Sequence, residues 1–342
     1  MKMRKRNPTR RNFLLAALGV TLLSGATMSA TAFAQERLRQ ATIIVGSPAG
    51  GATDKLARMY ADALKQRFAN TVIVENRPGA GGILAYEYVK NSSQKDGSVT
   101  FLSPAYPLTI SPHVVRNLPY DTLRDFVPVG IAARSTMTYA IGPAVPASVK
   151  TLEAYLQWCR DNPKLALYAA QTGSSQHLLG SILALSSKVR LENVSYKGDA
   201  PAMQDLLGGH VPAVVLPIAS AIPLHKAGQI RILAVSAAKP SRFLPDIPTF
   251  QELDHKDILF QDWLGVFAPA GTSMEAVRQM NLAMSDAVRS EQGQTALTNL
   301  GFTSEVVTPE AFAEIVKADH KRYGAMVERT RFREIFEKSA GQ

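Results

Sequence analysis

The sequence of 342 residues contains a single cysteine, which excludes an internal disulfide and a cysteine-based metal cluster. Cys159 follows Leu152, Tyr155 and Leu156 at helical spacing, so we expect a buried apolar side chain rather than a reactive thiol. The six histidines include no pair at i,i+4, and H-E-x-x-H and G-x-S-x-G motifs are missing. The sequence therefore predicts no metal site, no cofactor and no catalytic constellation.

Positive charge is concentrated at the amino terminus. Six of the 38 Lys and Arg residues, and none of the 28 Asp and Glu residues, lie in residues 1–34, so the formal charge of +10 becomes +4 over the remaining 308 residues. This mild excess without Lys/Arg clusters argues against nucleic-acid binding. It is compatible with a small anionic ligand.

Residues 1–34 have the organisation of a secretory signal. Arg10-Arg11 precede a short apolar run, Phe13–Leu23, and small residues then lead to Ala32-Phe33-Ala34, an A-x-A cleavage site. Two arginines before Asn-Phe-Leu are typical of twin-arginine export. We expect cleavage after Ala34 and a periplasmic location. A retained membrane anchor is the alternative, but the run is shorter than the ~20 residues that span a bilayer.

Strand-like and helical patterns alternate along the chain, which predicts an α/β fold with mostly parallel sheets flanked by helices. The alternation breaks in an irregular, proline-rich stretch, Pro104–Pro128, and restarts with a strand near Thr138. Two successive units predict two lobes, with crossings near residues 133–138 and 258–263. The predicted segments are 35–135 for the first part of lobe one, 136–260 for lobe two, and 261–342 for the return to lobe one.

The end of the chain shows three helical patterns: Met274–Arg289, Glu291–Leu300, and a long one from Pro309 to about Arg329. Thr308 before Pro309 is a suitable N-cap, with proline at the first helical position.

Strand-to-helix loops are where a ligand site is expected in such a fold. The loop Gly46–Asp54 is rich in glycine and opens a helix, so its N–H groups could meet an anion. A tight turn in which Asp54 complements the helix dipole explains the same residues equally well. Ala52 replaces the lysine of a phosphate-binding P-loop, which excludes that nucleotide site.

Three further loops follow strands. In Asn76–Gly82, Leu84 replaces the last glycine of a dinucleotide fingerprint, which argues against a cofactor site. A structural role for this loop, letting its helix pack close to the first loop, is favoured over direct contact with a ligand. Thr172–His177 offers hydroxyls and N–H groups to an anion from the second lobe, although His177 is more simply a hydrogen-bonding residue at the helix start. In Tyr196–Pro201, Asp199 is a natural N-cap, and Lys197 could meet an anion.

Six motifs in order resemble the Bug or TctC family of periplasmic substrate-binding proteins, which serve tripartite tricarboxylate transporters. The resemblance covers essentially the whole chain after Ala34. The motifs are Ser47-Pro48-Ala49-Gly50-Gly51 with Asp54, Val74–Gly82, Leu118–Asp121 with Asp125-Phe126, Tyr196-Lys197-Gly198 with Asp205–Gly209, Leu244–Thr249, and Trp263–Thr272.

The resemblance implies a Venus-flytrap fold, in which two lobes close on a small organic acid and hold its carboxylate by backbone amides, hydroxyls and ordered water. The sequence departs from the family pattern at Ser47, where an aromatic residue is common, and at Pro217-Ile218, where the family is more polar. The ligand-binding residues implied, together with the Lys197 candidate, are Ser47, Pro48, Ala49, Gly50, Gly51, Ser103, Tyr106, Thr172, Gly173, Ser174, Ser175, His177, Lys197, Pro217 and Ile218.

The predicted function is therefore binding and delivery of a carboxylate to a membrane transporter by a monomeric, non-enzymatic periplasmic protein. Two alternatives stay open at this stage. The same fold could serve as a ligand sensor that docks on a membrane signalling receptor, or as a periplasmic enzyme.

Overall fold

The computed structural model describes residues 37–65 and 67–340. The predicted signal and its cleavage site lie outside these residues. The described strands are β1 Leu38–Val45, β2 Ala69–Asn76, β3 Val99–Pro104, β4 Phe126–Ile141, β5 Leu167–Ala170, β6 Glu192–Ser195, β7 Ala213–Pro217, β8 Arg231–Val235 and β9 Gln261–Pro269.

The α-helices of the described residues are α1 Ala52–Leu64, α2 Ile83–Lys90, α3 Tyr106–Thr109, α4 Ser111–Val114, α5 Thr122–Asp125, α6 Leu152–Asp161, α7 Ser175–Ser187, α8 Asp199–Leu207, α9 Ile218–Lys226, α10 Met274–Arg289, α11 Glu291–Asn299, α12 Pro309–Arg329 and α13 Phe332–Ala340. Two short 3₁₀ turns lie at Ala80–Gly82 and Pro163–Leu165. In the described part of the chain, no helix is long and apolar enough to cross a membrane.

The strands form a mixed sheet in the order β2-β1-β3-β9-β4-β7-β5-β6, with β8 beside β4. We call the half from β2 to the start of β4 lobe one, and the half from the end of β4 to β6, with β8, lobe two. The outer pairs of each lobe are parallel, β1 with β2 and β3, and β5 with β6 and β7. The inner pairs, which involve β4 and β9, are antiparallel. The predicted two-lobed α/β fold is thus confirmed, with a sheet that is mixed rather than mostly parallel.

Each lobe buries apolar side chains on both faces of its sheet. In β7, Ala213 and Val215 join one core cluster, whereas Val214 and Leu216 join the cluster on the opposite face. This follows from the alternation of side chains along a strand. Strands covered by helices on both faces read as continuous apolar runs, which is why the sequence pattern revealed them.

The long strand β4 passes from one lobe into the other. Its residues Phe126–Thr136 pair with β9, and residues Met137–Ile141 pair with β7 and β8. The predicted strand near Thr138 is present, but it begins earlier than expected, at Phe126, and so includes the end of the stretch that was predicted to be irregular. Pro128 fits in it because the register with β9 shifts directly after this residue, and a bulge tolerates a proline that cannot donate to the ladder.

The carboxy-terminal helices also compare closely with the sequence patterns. Thr308 caps α12 by accepting the N–H of Ala311, and Pro309 is its first residue, as predicted. Helix α13 was not predicted, because its break from α12 is a left-handed Arg331 with φ of 51° and no glycine marks it. Cys159 is buried as expected, and this burial raises the pKa of its thiol to about 11.

Candidate ligand-binding site

The first-lobe loop leaves β1 at its carboxyl end and opens α1. Gly50 has φ of 87°, and Gly51 is the N-cap of α1 with an ordinary extended conformation. Residues 48–51 are exposed, and Ser47 is half-buried. A Cβ on Gly50 would meet nothing within 4 Å, so the loop surface is open at this point. The first N–H groups of α1 lack partners within the helix, which suits an anion.

Asp54 holds this loop in place from within α1. Its carboxylate accepts the N–H of Gly50 at 2.9 Å, two bonds from Arg58 at 3.0 and 2.9 Å, and one from the amide of Asn76 at 3.0 Å. Burial alone would raise the pKa of Asp54, but the hydrogen bonds from Arg58, Gly50 and Asn76 lower it overall. Asp54 therefore stays ionised and ties the loop to its helix and to β2.

The glycine-rich loop after β2 supports the first one. A Cβ on Gly46 would lie 2.8 Å from Cα of Gly82, so the two loops touch through their backbones. The Tyr86 hydroxyl packs beside Gly82 and accepts a hydrogen bond from Ser103 Oγ at 2.9 Å. Ser103 is fully buried. The structural interpretation of Asn76–Gly82 agrees with this packing, and Ser103 lies beneath the loops rather than on their surface.

The second-lobe loop leaves β5 and opens α7 in the same way. Ser174 is the N-cap of α7, accepting the N–H of His177 at 3.4 Å while its Oγ donates to the Gln171 carbonyl at 2.6 Å. Thr172 is half-buried and donates to Ser195 Oγ at 2.7 Å. Gly173 has φ of 81°. The Ser174 hydroxyl is thus used by the helix cap, whereas sequence analysis expected it to face the ligand.

His177 is enclosed behind this loop. Its Nδ1 accepts the N–H of Gly173 at 3.2 Å, which places the ring proton of the neutral form on Nε2. The ring packs edge-on against Phe332, with centroids 4.7 Å apart. Burial lowers the pKa of His177 to about 4. Both observations agree with the hydrogen-bonding interpretation of this residue rather than with contact to a ligand.

Helix α13 covers the back of the same loop. A Cβ on Gly173 would lie 2.9 Å from the Phe336 ring. Ser175 is buried beside Asp262, whose carboxylate accepts the Tyr323 hydroxyl at 3.0 Å. The side chains of Ser174, Ser175 and His177 are all buried. Ser174 Oγ and His177 Nδ1 form hydrogen bonds within the fold, whereas Ser175 Oγ and His177 Nε2 have no hydrogen-bond partner among the described residues. Since they are buried, the loop can offer a ligand only its backbone groups and Thr172.

Tyr106 and Gln171 connect the two lobes beside these loops. Gln171 Nε2 donates to the Tyr106 hydroxyl at 3.0 Å, and a Cβ on Gly81 would lie 3.9 Å from the same nitrogen. Burial, with a smaller contribution from the charge of Asp199, raises the pKa of Tyr106 to about 12, although the hydrogen bond from Gln171 opposes this rise. Tyr106 was predicted from the resemblance. Gln171 was missed, although its position directly before Thr172 in the predicted loop was a usable signal.

The remaining predicted residues differ in exposure. Lys197 is exposed, Pro217 is half-buried at the end of β7, and Ile218 is buried at the start of α9.

The prediction that Asp199 caps α8 is wrong, because Gly198 is the N-cap and no side chain caps this helix. Asp199 Oδ1 instead accepts a 3.4 Å bond from Gln176 Nε2. The orientation of the Asp199 side chain was not predictable, since the sequence pattern identifies a helix start but not the direction of a side chain.

The arrangement brings two helix N-termini, several neutral polar groups and the carboxyl group of Asp199 to the junction of the lobes. It suits reversible binding of an anion. Among the described residues, no group of three His, Cys, Asp or Glu side chains could hold a metal ion.

Residues 56–332 match the TctC family, described as the tripartite tricarboxylate transporter family receptor. The chain is 27% identical over 318 residues to protein BugT of Bordetella pertussis, covering 93% of this chain and 97% of BugT. It is similar in structure to R. palustris Rpa4515 with adipate, at a TM-score of 0.79 and 29% identity over 85% of this chain and 97% of that one. MatC from Rhodopseudomonas palustris with bound malate gives a TM-score of 0.76 and 26% identity, covering 84% and 99%.

Proposed function

This chain belongs to the TctC family of periplasmic receptors for tripartite tricarboxylate transporters, and we propose its individual task on that premise. It captures a small organic acid between its two lobes and delivers the acid to a membrane transporter of the tripartite tricarboxylate type. It binds without converting the ligand, and it acts as a monomer. Adipate and malate in the similar Rpa4515 and MatC support the assignment to carboxylates.

The observation that carries the proposal is the pairing of two strand-to-helix loops, residues 46–51 of lobe one and residues 172–177 of lobe two. Each loop follows the carboxyl end of a parallel strand and opens a helix of 13 residues, α1 or α7. Ligands of open α/β sheets bind at such strand ends. The Tyr106–Gln171 bond beside the loops supports a site that both lobes share.

In this proposal, the carboxylate of the ligand is bound mostly by main-chain N–H groups. In lobe one, the exposed residues Ala49 and Gly51 offer their backbone N–H groups, since Pro48 has none and Gly50 donates its own to Asp54. In lobe two, Thr172 and the first turn of α7 offer the opposing groups, since Gly173 donates its N–H to His177. Tyr106 flanks the ligand, as do Ser47 and Pro217, while Lys197 lies at the exposed rim. Backbone N–H groups that stay fixed when the ligand enters lose little conformational freedom on binding.

The proposal also assigns the boundaries of the lobes: lobe two comprises residues 136–260, between segments 35–135 and 261–342 of lobe one.

In the same proposal, the chain reaches the periplasm by the twin-arginine route, with cleavage after Ala34. Replacing Arg10 and Arg11 by lysine should leave precursor in the cytoplasm. A normal periplasmic yield of that variant would contradict this route.

A thermal-shift screen against mono-, di- and tricarboxylates tests the binding function. A ligand that binds only the folded state stabilises it by RT ln(1 + [L]/Kd), about 2.7 kcal/mol at a hundredfold excess over Kd. We expect at least one carboxylate to raise the melting temperature in a concentration-dependent way. If no carboxylate does so, the proposed function is wrong.

Substitution at Gly51 then locates the site. A Cβ there would meet only the Pro48 carbonyl, at 3.6 Å, and the residue has φ of −71°, so the fold accepts a side chain. Gly51→Val should therefore keep nearly the wild-type melting temperature without ligand, while blocking the approach of the carboxylate. We expect the affinity to fall at least tenfold by calorimetry. Unchanged affinity would place the site elsewhere.

A further inference from the structure

Asp199 places a carboxylate at the junction where the two loops offer groups to an anion. It is the first residue of α8 and does not cap that helix. Its Oδ1 instead accepts a 3.4 Å bond from Gln176 on α7. Its charge also acts on the phenol of Tyr106, which belongs to lobe one. The half-buried Asp199 side chain therefore faces the junction between the lobes.

This carboxylate has no cationic partner in the part of the chain that the structure describes. The amide of Gln176 and the hydroxyl of Ser220 form hydrogen bonds with it, and both groups are neutral. The phenol of Tyr106, which is also neutral, is close enough for its pKa to be raised by the charge of Asp199. Lys197, two residues earlier, is exposed to solvent. A carboxylate withdrawn from water without a positive partner is unfavourable, and a ligand can supply that partner.

The protonation of Asp199 agrees with this need for a partner. Burial raises the pKa of Asp199 to about 6, and the Ser220 hydroxyl opposes the rise through a hydrogen bond. The carboxyl is therefore ionised in most molecules at pH 7.5. The junction thus presents a negative charge close to groups that are arranged for an anion.

We propose that Asp199 selects ligands that carry a cationic nitrogen as well as a carboxylate, so that the preferred solute is a zwitterion of the amino-acid class. This inference rests on the proposed function, because the loop amides hold the carboxylate while Asp199 pairs with the ammonium group. A second carboxylate in the same place would be repelled by Asp199. Dicarboxylates such as the adipate and malate bound by the similar proteins would then be disfavoured here.

Calorimetry at pH 7.5 with matched ligands tests the proposal. For ligands with three to six carbons, the probes at each length are the monocarboxylate, the dicarboxylate, the α-amino acid and the ω-amino acid. We expect at least one amino acid to bind at least tenfold more tightly than both the monocarboxylate and the dicarboxylate of its length. Asp199→Asn should remove this preference by weakening amino-acid binding at least tenfold.

Asp246→Asn is the matched control, because it makes the same charge change at an exposed residue of lobe two. It should leave every affinity unchanged. The proposal is overturned if a dicarboxylate binds the wild type more tightly than every amino acid, or if Asp199→Asn keeps the preference. In both cases the proposed function stands. If no carboxylate of any class binds the wild type, the proposed function fails and this inference fails with it. The comparison of ligands is made on the wild-type protein, so it tests the proposal even if Asp199→Asn does not fold.

Discussion

Asp54 is the residue on which the geometry of the first loop depends. It accepts four hydrogen bonds while nearly fully buried, and three of them come from side chains of α1 and β2. Asp54→Asn loses the charge and leaves Arg58 with a weaker partner. We expect the free energy of unfolding to fall by about 2 kcal/mol, since a hydrogen bond to a charged group contributes about 1.5–3 kcal/mol.

Asp62→Asn provides the control in denaturant titrations. Asp62 lies on the same helix and pairs with Lys65, but both side chains are exposed. Exposed pairs contribute at most about 1 kcal/mol, so this variant should stay close to the wild type. Equal effects of the two substitutions would contradict the role given to Asp54.

His177 should make stability depend on pH in a direction set by its lowered pKa. Burial brings the pKa to about 4, so the unfolded chain takes up a proton near pH 6.5 before the folded chain does. The contribution of His177 is complete above pH 6.5 and is lost as pH falls towards 4. From these two values, the loss between pH 7.5 and pH 5 is about 2 kcal/mol.

Asp199 has a raised pKa, so its contribution to stability increases as pH falls and opposes that of His177. The contribution of His177 is therefore isolated by comparing the wild type with His177→Gln at each pH. The stability advantage of the wild type over His177→Gln should shrink by about 2 kcal/mol between pH 7.5 and pH 5. His210→Gln, at an exposed position, should show no such change. Direct titration of His177 by NMR near pH 6.5 would contradict the prediction.

The sequence allowed prediction of which loops matter better than of what their side chains do. Glycines 50 and 173 were identified as loop residues, and both have the left-handed backbone that favours glycine. Ser174, however, was expected to face the ligand and instead caps α7. A hydroxyl before a helix fits both roles, and only the packing of α13 behind the loop decides between them.

At the scale of elements, α13 is the part of the fold that the sequence pattern did not indicate. Its Phe332 is buried with the lobe-two core and packs against His177. Phe332→Ala should lower the free energy of unfolding by about 3–5 kcal/mol, the usual range for removing a buried phenylalanine. It should also raise the pKa of His177, because the imidazole becomes hydrated.

Leu282→Ala on α10 serves as the control for α13. Leu282 is 61% exposed, so its removal should change stability by less than about 0.5 kcal/mol. Thermal or chemical unfolding of the two variants compares them directly. If Phe332→Ala is as stable as Leu282→Ala, α13 does not support the second-lobe loop as described.

Most other elements were predictable because their apolar periodicity is strong. In α1, buried Leu56, Tyr60 and Leu64 recur at helical spacing, and the pattern located the helix correctly. The start of β4 was not predictable in this way. Pro128 argued against a strand, and the bulge that accommodates it depends on pairing with β9, more than 130 residues away.

At the scale of the whole molecule, β4 and β9 form the connection between the lobes. β4 changes pairing partners at residues 136–137, from β9 to β7 and β8. A strand that belongs to two halves of a sheet can bend between them, and each lobe has one apolar cluster to itself. A further cluster joins Ile110 and Tyr323, which lie outside residues 136–260, to the core of lobe two. Hinge closure of this kind is common in periplasmic binding proteins.

We therefore expect ligand binding to bring the lobes together, with a smaller radius of gyration in solution scattering at saturating ligand. The physical reason is that the two loops can hold one small carboxylate only when both are within hydrogen-bond distance of it, about 3 Å. Gly51→Val at the same ligand concentration should keep the dimensions of the ligand-free protein, because its carboxylate grip is blocked. Tyr106→Phe removes the hydrogen bond with Gln171, and the ligand-free form of this variant should be at least as open as the wild type. Unchanged dimensions of the wild type with a ligand proven by calorimetry would show that closure is not part of binding.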